Sequence, residues 1–134
     1  AGLKDGTIDC IATDHAPHTQ EDKEVDFDAA PPGLIGLETA FGLVMKELVI
    51  PGVLTLEQVV DKMSASPAKI VGLAEKGVLA EGKDADIVIV DLDKEWTVRR
   101  EDFVSKSRNS PFVGWKLKGR VVKTICGGKV VHSA

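Results

Sequence analysis

The chain has 134 residues, 43% of them hydrophobic and 28% charged, and a formal net charge of −4. That length supports one ordinary domain with a core, and that balance excludes a disordered chain. Scattered basic residues with four Phe, two Trp and no Tyr exclude the basic, aromatic face of a nucleic-acid binder, and no apolar run approaches the roughly 20 residues of a membrane helix.

Ala1 to Gly6 reads as a helix end and a turn. Residues 7–12 (TIDCIA) form a nearly continuous apolar run, the pattern of a parallel strand covered on both faces. Residues 14–33 lack periodicity, carry Glu21, Asp22, Lys23, Glu24, Asp26 and Asp28, and end in Pro31-Pro32-Gly33. A loop of about 20 residues inside a compact domain is usually functional or mobile. Residues 35–49 place Leu37, Phe41, Val44, Met45 and Leu48 at helical spacing, and Pro51-Gly52 stops that helix. Thr55 with Gln58 makes a capping box for a helix over 55–64. Ser66-Pro67, an N-cap followed by proline at the first helical position, opens a third helix that Gly72 ends.

The period changes near residue 76. Lys76-Gly77 and Glu81-Gly82 are turns; 86–92 (DIVIVDL) and 96–98 are strands; 105–114 (SKSRNSPFVG) is a polar loop. Strands at 121–126 and 129–132 are joined by Gly127-Gly128, a two-residue hairpin signal. Cys10 and Cys126 lie in strand-like runs without close spacing, which reads as two buried free thiols in a reducing, cytoplasmic compartment.

Chemistry concentrates where the first strand ends. Asp14, His15 and His18 leave its end within five positions. Buried charges need partners, whereas the C-terminal rim of a parallel sheet or barrel is where metal and catalytic sites sit. Asp14 suits a turn or helix cap; it equally suits a metal ligand that also takes the proton of a bound water. Pro17 argues against helix between the histidines and stiffens the loop, holding His18 in place. The role of His15 stays open, and His132 is given none. Pro31-Pro32-Gly33 has the form of an ordinary helix entry, and its exposed amides also suit an anion. Arg108-Asn109 could touch a ligand, although such pairs mostly make loop hydrogen bonds.

The run from Gly6 to His18, ending in D-H-A-P-H, resembles the final barrel-strand motif of the class I dihydroorotases of the amidohydrolase superfamily. Pro32 to Thr39 (PGLIGLET) resembles their substrate loop and following helix. Ser66 to Leu73 (SPAKIVGL) resembles the helix before the barrel exit, and Gly82 to Val88 (GKDADIV) the return into a small β domain. Ser105 to Phe112 (SKSRNSPF), with Gly119 to Gly128, resembles the C-terminal segment. The order is kept over nearly the whole chain.

The resemblance implies an α/β fold: the C-terminal part of a (β/α)8 TIM-like metal-dependent hydrolase barrel over 1–72, then part of a small β-sandwich over 73–134. It implies reversible closure of N-carbamoyl-L-aspartate to L-dihydroorotate in pyrimidine synthesis, with Zn2+ as cofactor. Asp14 matches the zinc-binding, proton-shuttling aspartate, His18 the substrate-binding histidine, and Pro32 and Gly33 the backbone positions that hold substrate. The family's other metal ligands have no counterpart among the three histidines, and a full barrel needs about 250 residues. The expectation is a piece of the enzyme, inactive alone, partnered by the missing N-terminal part. A homo-oligomer or an association with aspartate transcarbamoylase is also implied. The same likeness leaves room for an allantoinase or hydantoinase, or for a silent scaffold subunit of a transcarbamoylase.

Overall fold

A computed structural model describes residues 1–134. Gly2–Asp5 forms the single-turn helix α1, and Gly6 ends it in the left-handed region. Residues 7–12, expected as a buried strand, form none. A strand needs a neighbour to receive its N–H and C=O groups, and no ladder forms along this run. Instead the Ile11 N–H donates to the Lys62 carbonyl at 2.9 Å, and Lys62 Nζ donates to the Ile8 carbonyl at 2.6 Å. Ile8 is consequently half exposed.

The loop after Asp14 holds a short helix, α2 (Gln20–Lys23), capped reciprocally by Thr19 and Asp22. Lys23 Nζ then donates to the Pro31 carbonyl at 2.6 Å, which closes the loop on itself. The helix expected from residue 35 begins five residues later: α3 spans Ala40–Val44 and continues with wider, π-type spacing over Met45–Val49. Residues 34–36 are instead committed to contacts with the 13–18 segment and with Asn109, and Glu38 to Val104 and Ser105. Leu37, assigned above to the apolar face, is exposed as a result.

Thr55 and Gln58 cap α4 (Leu56–Val60) in the expected box, a device worth about 1 kcal/mol. Ser66 does not open a new helix. The chain runs from α4 through a π-type stretch, Asp61–Ala65, into α5 (Ser66–Ile70). Proline lacks the N–H that an uninterrupted helix would use, and the wider turn just before Pro67 absorbs that loss. The Ser66 hydroxyl donates to Asp61 Oδ1 at 3.0 Å rather than capping.

The second half forms one antiparallel sheet in the order β1-β2-β3, with β1 at Ile87–Thr97, β2 at Lys116–Cys126 and β3 at Lys129–Ser133. The expected 86–92 and 96–98 strands are thus one strand, bent by an irregularity between Asp91 and Glu95. Asp91 Oδ1 accepts from the N–H groups of Asp93 and Lys94 there. The β2–β3 hairpin turns on Gly127-Gly128 as expected; both glycines have positive φ, and Cys126 faces Lys129. A single three-stranded sheet stands where part of a sandwich was expected. Cys10 and Cys126 are free, but Cys10 is only half-buried and Cys126 is exposed, so neither is a core thiol. No helix is long and apolar enough to cross a membrane.

Two small clusters hold the chain together. Val44, Leu54 and Val59 pack with Ile11 and Leu48. Ile35, Val98, Phe103 and Leu117 pack with Trp96 and Phe112, so this second cluster ties Ile35, which follows the substrate-like loop, directly to the β half. The helix lies close on the sheet because Gly42 and Gly119 leave room: a Cβ on Gly42 would come 3.0 Å from Leu117, and one on Gly119 would come 2.9 Å from Met45. The accessible surface is 8998 Å², against about 6,800 Å² for a self-contained monomer of this mass. Much of the surplus is apolar: Ile70, Val71, Leu79, Val88, Val130 and Val131 are each at least half exposed.

Candidate active site

Three segments far apart in the sequence meet where the D-H-A-P-H run leaves the body of the chain. Asp14 is the one non-glycine residue with positive φ, at 48°, a conformation that Asp tolerates better than most residues. Its side chain is exposed and takes part in no hydrogen bond or ion pair within the chain. That absence removes the turn-cap reading, since a capping aspartate accepts from a nearby N–H.

The residues after Asp14 run beside the Pro32–Gly36 segment. His15 and Leu34 form an isolated parallel bridge, and the Ala16 N–H donates to the Leu34 carbonyl at 2.9 Å. The Gly36 N–H donates to His15 Nδ1 at 3.1 Å. In the neutral ring the His15 proton therefore sits on Nε2. His18 Nε2 lies 2.9 Å from the Pro32 carbonyl and donates to it, leaving Nδ1 without a partner in the chain. Pro32, the residue expected to hold substrate, thus keeps one carbonyl lone pair beyond that bond.

Gly33 is required by both shape and conformation. Its φ is +129°, and a Cβ there would lie 2.7 Å from Ala16 Cβ, 3.0 Å from the Ala16 carbonyl and 3.1 Å from His18 Nε2. No acceptor within the chain receives its N–H. The structure therefore brings His18, Pro32 and Gly33 into direct contact, and places Asp14 one residue before the bridge that joins the two segments.

The sequence left the role of His15 open and offered Asn109 as a ligand contact or, more commonly, a maker of loop hydrogen bonds. Here His15 braces Gly36, and Asn109 Nδ2 donates to the Gly33 carbonyl at 2.8 Å. Glu38 is a further brace: its carboxylate accepts from the N–H groups of Val104 and Ser105 at 3.0 and 3.1 Å. The P-G-x-x-G-x-E spacing carries a signal for Glu38, because an acid two residues past a glycine-rich loop suits the capping of free amides. Nothing in the sequence marks the contact of Asn109 with a residue 76 positions away.

No group of three or more His, Cys, Asp and Glu side chains converges to hold a metal ion. A catalytic zinc takes three protein ligands, and Asp14 stands alone, so the residues of this chain do not by themselves fit one. A cavity of about 520 Å³ opens between α3 and the sheet, lined by His15, Glu38, Phe41, Trp96, Arg120 and His132 among others. It does not reach Asp14, His18, Pro32 or Gly33, and contact geometry rather than cavity size marks the candidate site.

Comparison with known proteins gives the family. A model of the amidohydrolase family matches residues 1–131. A dihydroorotase of Endomicrobium trichonymphae is 54% identical over 130 residues, 97% of this chain and 31% of that protein. One of Pelotomaculum thermopropionicum is 57% identical over 130 residues, 97% of this chain and 30% of that protein. Among solved structures, L-hydantoinase (dihydropyrimidinase) from Arthrobacter aurescens superposes with a TM-score of 0.91 at 39% identity, over 98% of this chain and 30% of that one. The chain spans about three tenths of the length of these relatives.

Proposed function

Because this chain belongs to the amidohydrolase family, we propose that it is the C-terminal segment of a dihydroorotase. In this reading residues 1–72 carry its part of the active site and residues 73–134 brace it. The reaction is the reversible hydrolysis of L-dihydroorotate to N-carbamoyl-L-aspartate, a step of pyrimidine synthesis. The observation that carries this reading is identity of 54% and 57% to proteins named dihydroorotase, against 39% to the hydantoinase that superposes so well.

The roles are those that the family likeness implies, and the chain's own atoms support them. In the hydrolytic direction water adds to the ring carbonyl carbon, the carbon–nitrogen bond breaks, and the nitrogen leaves with a proton. Asp14 has a carboxylate that no group in the chain occupies. It takes the proton from the attacking water and delivers it to the departing nitrogen, as a general base and then a general acid. His18 is fixed by its bond to Pro32, and its second ring nitrogen faces substrate. The Gly33 N–H and the remaining lone pair of the Pro32 carbonyl supply a donor and an acceptor to the ring.

A zinc ion, which the family likeness implies, polarises a carbonyl and lowers the pKa of water when bound. Its remaining ligands would come from outside this chain, as would the surfaces that cover the exposed strands. The chain alone is therefore inactive in this reading.

The structural neighbours support a second reading, a hydantoinase-type cyclic amidase. An assay of the intact enzyme with dihydroorotate, dihydrouracil and allantoin separates the two. Preferred turnover of dihydroorotate is expected; preference for dihydrouracil or allantoin would replace it with the second reading.

A further inference from the structure

The Pro32–Gly36 segment is gripped from two sides. On one side stand His18, Ala16 and His15, with the bonds already described. On the other stands Asn109 alone. Its Nδ2 donates to the Gly33 carbonyl at 2.8 Å, and its own carbonyl accepts from the Ile35 N–H at 3.0 Å. One residue thus pins the groups on both flanks of Leu34.

A peptide unit is planar and trans, so fixing a carbonyl fixes the direction of the N–H on the far side of the same plane. The His18 bond to the Pro32 carbonyl sets where the Gly33 N–H points. The Asn109 bond to the Gly33 carbonyl sets where the Leu34 N–H points. The Gly33 N–H has no acceptor in the chain, and the Leu34 N–H lies on the side of the His15–Leu34 bridge that faces Asp14. Asn109 is itself held: its N–H meets the hydroxyl of Ser107, which is buried, at 3.5 Å. The strap that carries it is tied at Val104 and Ser105 to Glu38.

We propose that Asn109 is a positioning residue for substrate binding, aiming the amides of the Gly33–Leu34 turn at the ring or its carboxylate; this rests on the dihydroorotase reading above. It touches no reacting atom. Its loss should loosen ground-state and transition-state binding alike, which raises KM and spares kcat.

The test uses Asn109→Asp in the intact enzyme. The variant keeps the shape and the backbone carbonyl but removes the donor. KM for dihydroorotate should rise about tenfold, with kcat within about threefold, and amide exchange at Ile35 should quicken. Ser110→Ala is the control for general loosening of the strap: Ser110 Oγ accepts only from the Phe112 N–H, and its KM should stay at the wild-type value. An unchanged KM in Asn109→Asp, a loss confined to kcat, or an equal rise in Ser110→Ala would overturn the proposal. If the wild-type enzyme does not turn over dihydroorotate, the functional reading fails and the exchange measurement decides for Asn109. Unchanged protection of Ile35 then overturns the positioning role.

Discussion

Replacing Gly33 by alanine is the sharpest perturbation of the site that leaves every functional group in place. The added Cβ would lie 2.7 Å from Ala16 Cβ and 3.1 Å from His18 Nε2, on a residue with φ at +129°. Left-handed backbone costs an ordinary residue about 1–2 kcal/mol, and forcing a methyl into a filled space costs about 1–3 kcal/mol more. The site relieves that strain by shifting the His18 ring off the Pro32 carbonyl, which breaks a bond of 2.9 Å. Loss of one hydrogen bond to a charged group of the substrate, about 1.5–3 kcal/mol, raises KM by about 10- to 100-fold. Gly52→Ala is the matched control. It also has a positive φ, at +72°, but meets no atom within 4 Å. Steady-state kinetics on the intact enzyme and thermal unfolding of both variants separate the terms. Gly52→Ala should lose about 1–2 kcal/mol of stability and keep its KM. A wild-type KM in Gly33→Ala, or equal effects of the two substitutions on KM, would refute the contact argument.

His18→Ala should chiefly raise KM while bound metal, measured by elemental analysis, stays at the wild-type level; loss of metal would make His18 a ligand instead. Thr39 is 1% exposed and its hydroxyl has no partner, so Thr39→Val should stabilise the protein by about 1 kcal/mol. A lower Tm would show that the hydroxyl is bonded. The Lys76 ammonium, and then the Gly127 N–H, hold the Asp86 carboxyl below its ordinary value of 3.8. The folded state therefore favours ionised Asp86, and the stabilisation is complete above that ordinary value and lost as pH falls through the lower, folded one. Asp86→Asn should flatten the acid limb of the unfolding midpoint against pH, and an unchanged limb would remove Asp86 from the balance.

Local chemistry was legible where a few adjacent residues decide it. Thr55 with Gln58, and Gly127 with Gly128, each specify their own backbone, and the capping box and hairpin form where they stand. Elements whose partners lie elsewhere were read less well. An apolar run such as 7–12 shows that the residues seek cover, but not which strand receives their N–H groups. Residues 35–39 have helical spacing, yet bonds from Ile35 to Asn109 and from Gly36 to His15 hold them out of the helix. At the site, residue chemistry at a strand end and before a helix singled out Asp14, His18, Pro32 and Gly33, and family likeness supplied their roles. The contact between His18 and Pro32 spans 14 positions and that between Asn109 and Gly33 spans 76. Separations of that size leave no period in a sequence.

The role of Asp14 is tested most directly by kcat of Asp14→Asn in the intact enzyme with dihydroorotate as substrate. An amide keeps the size of the carboxylate but cannot take the proton of the attacking water. The predicted result is a fall in kcat of about 10²–10⁴-fold, with KM changed far less. A kcat near the wild-type value would contradict the assignment of Asp14 as the group that moves the proton.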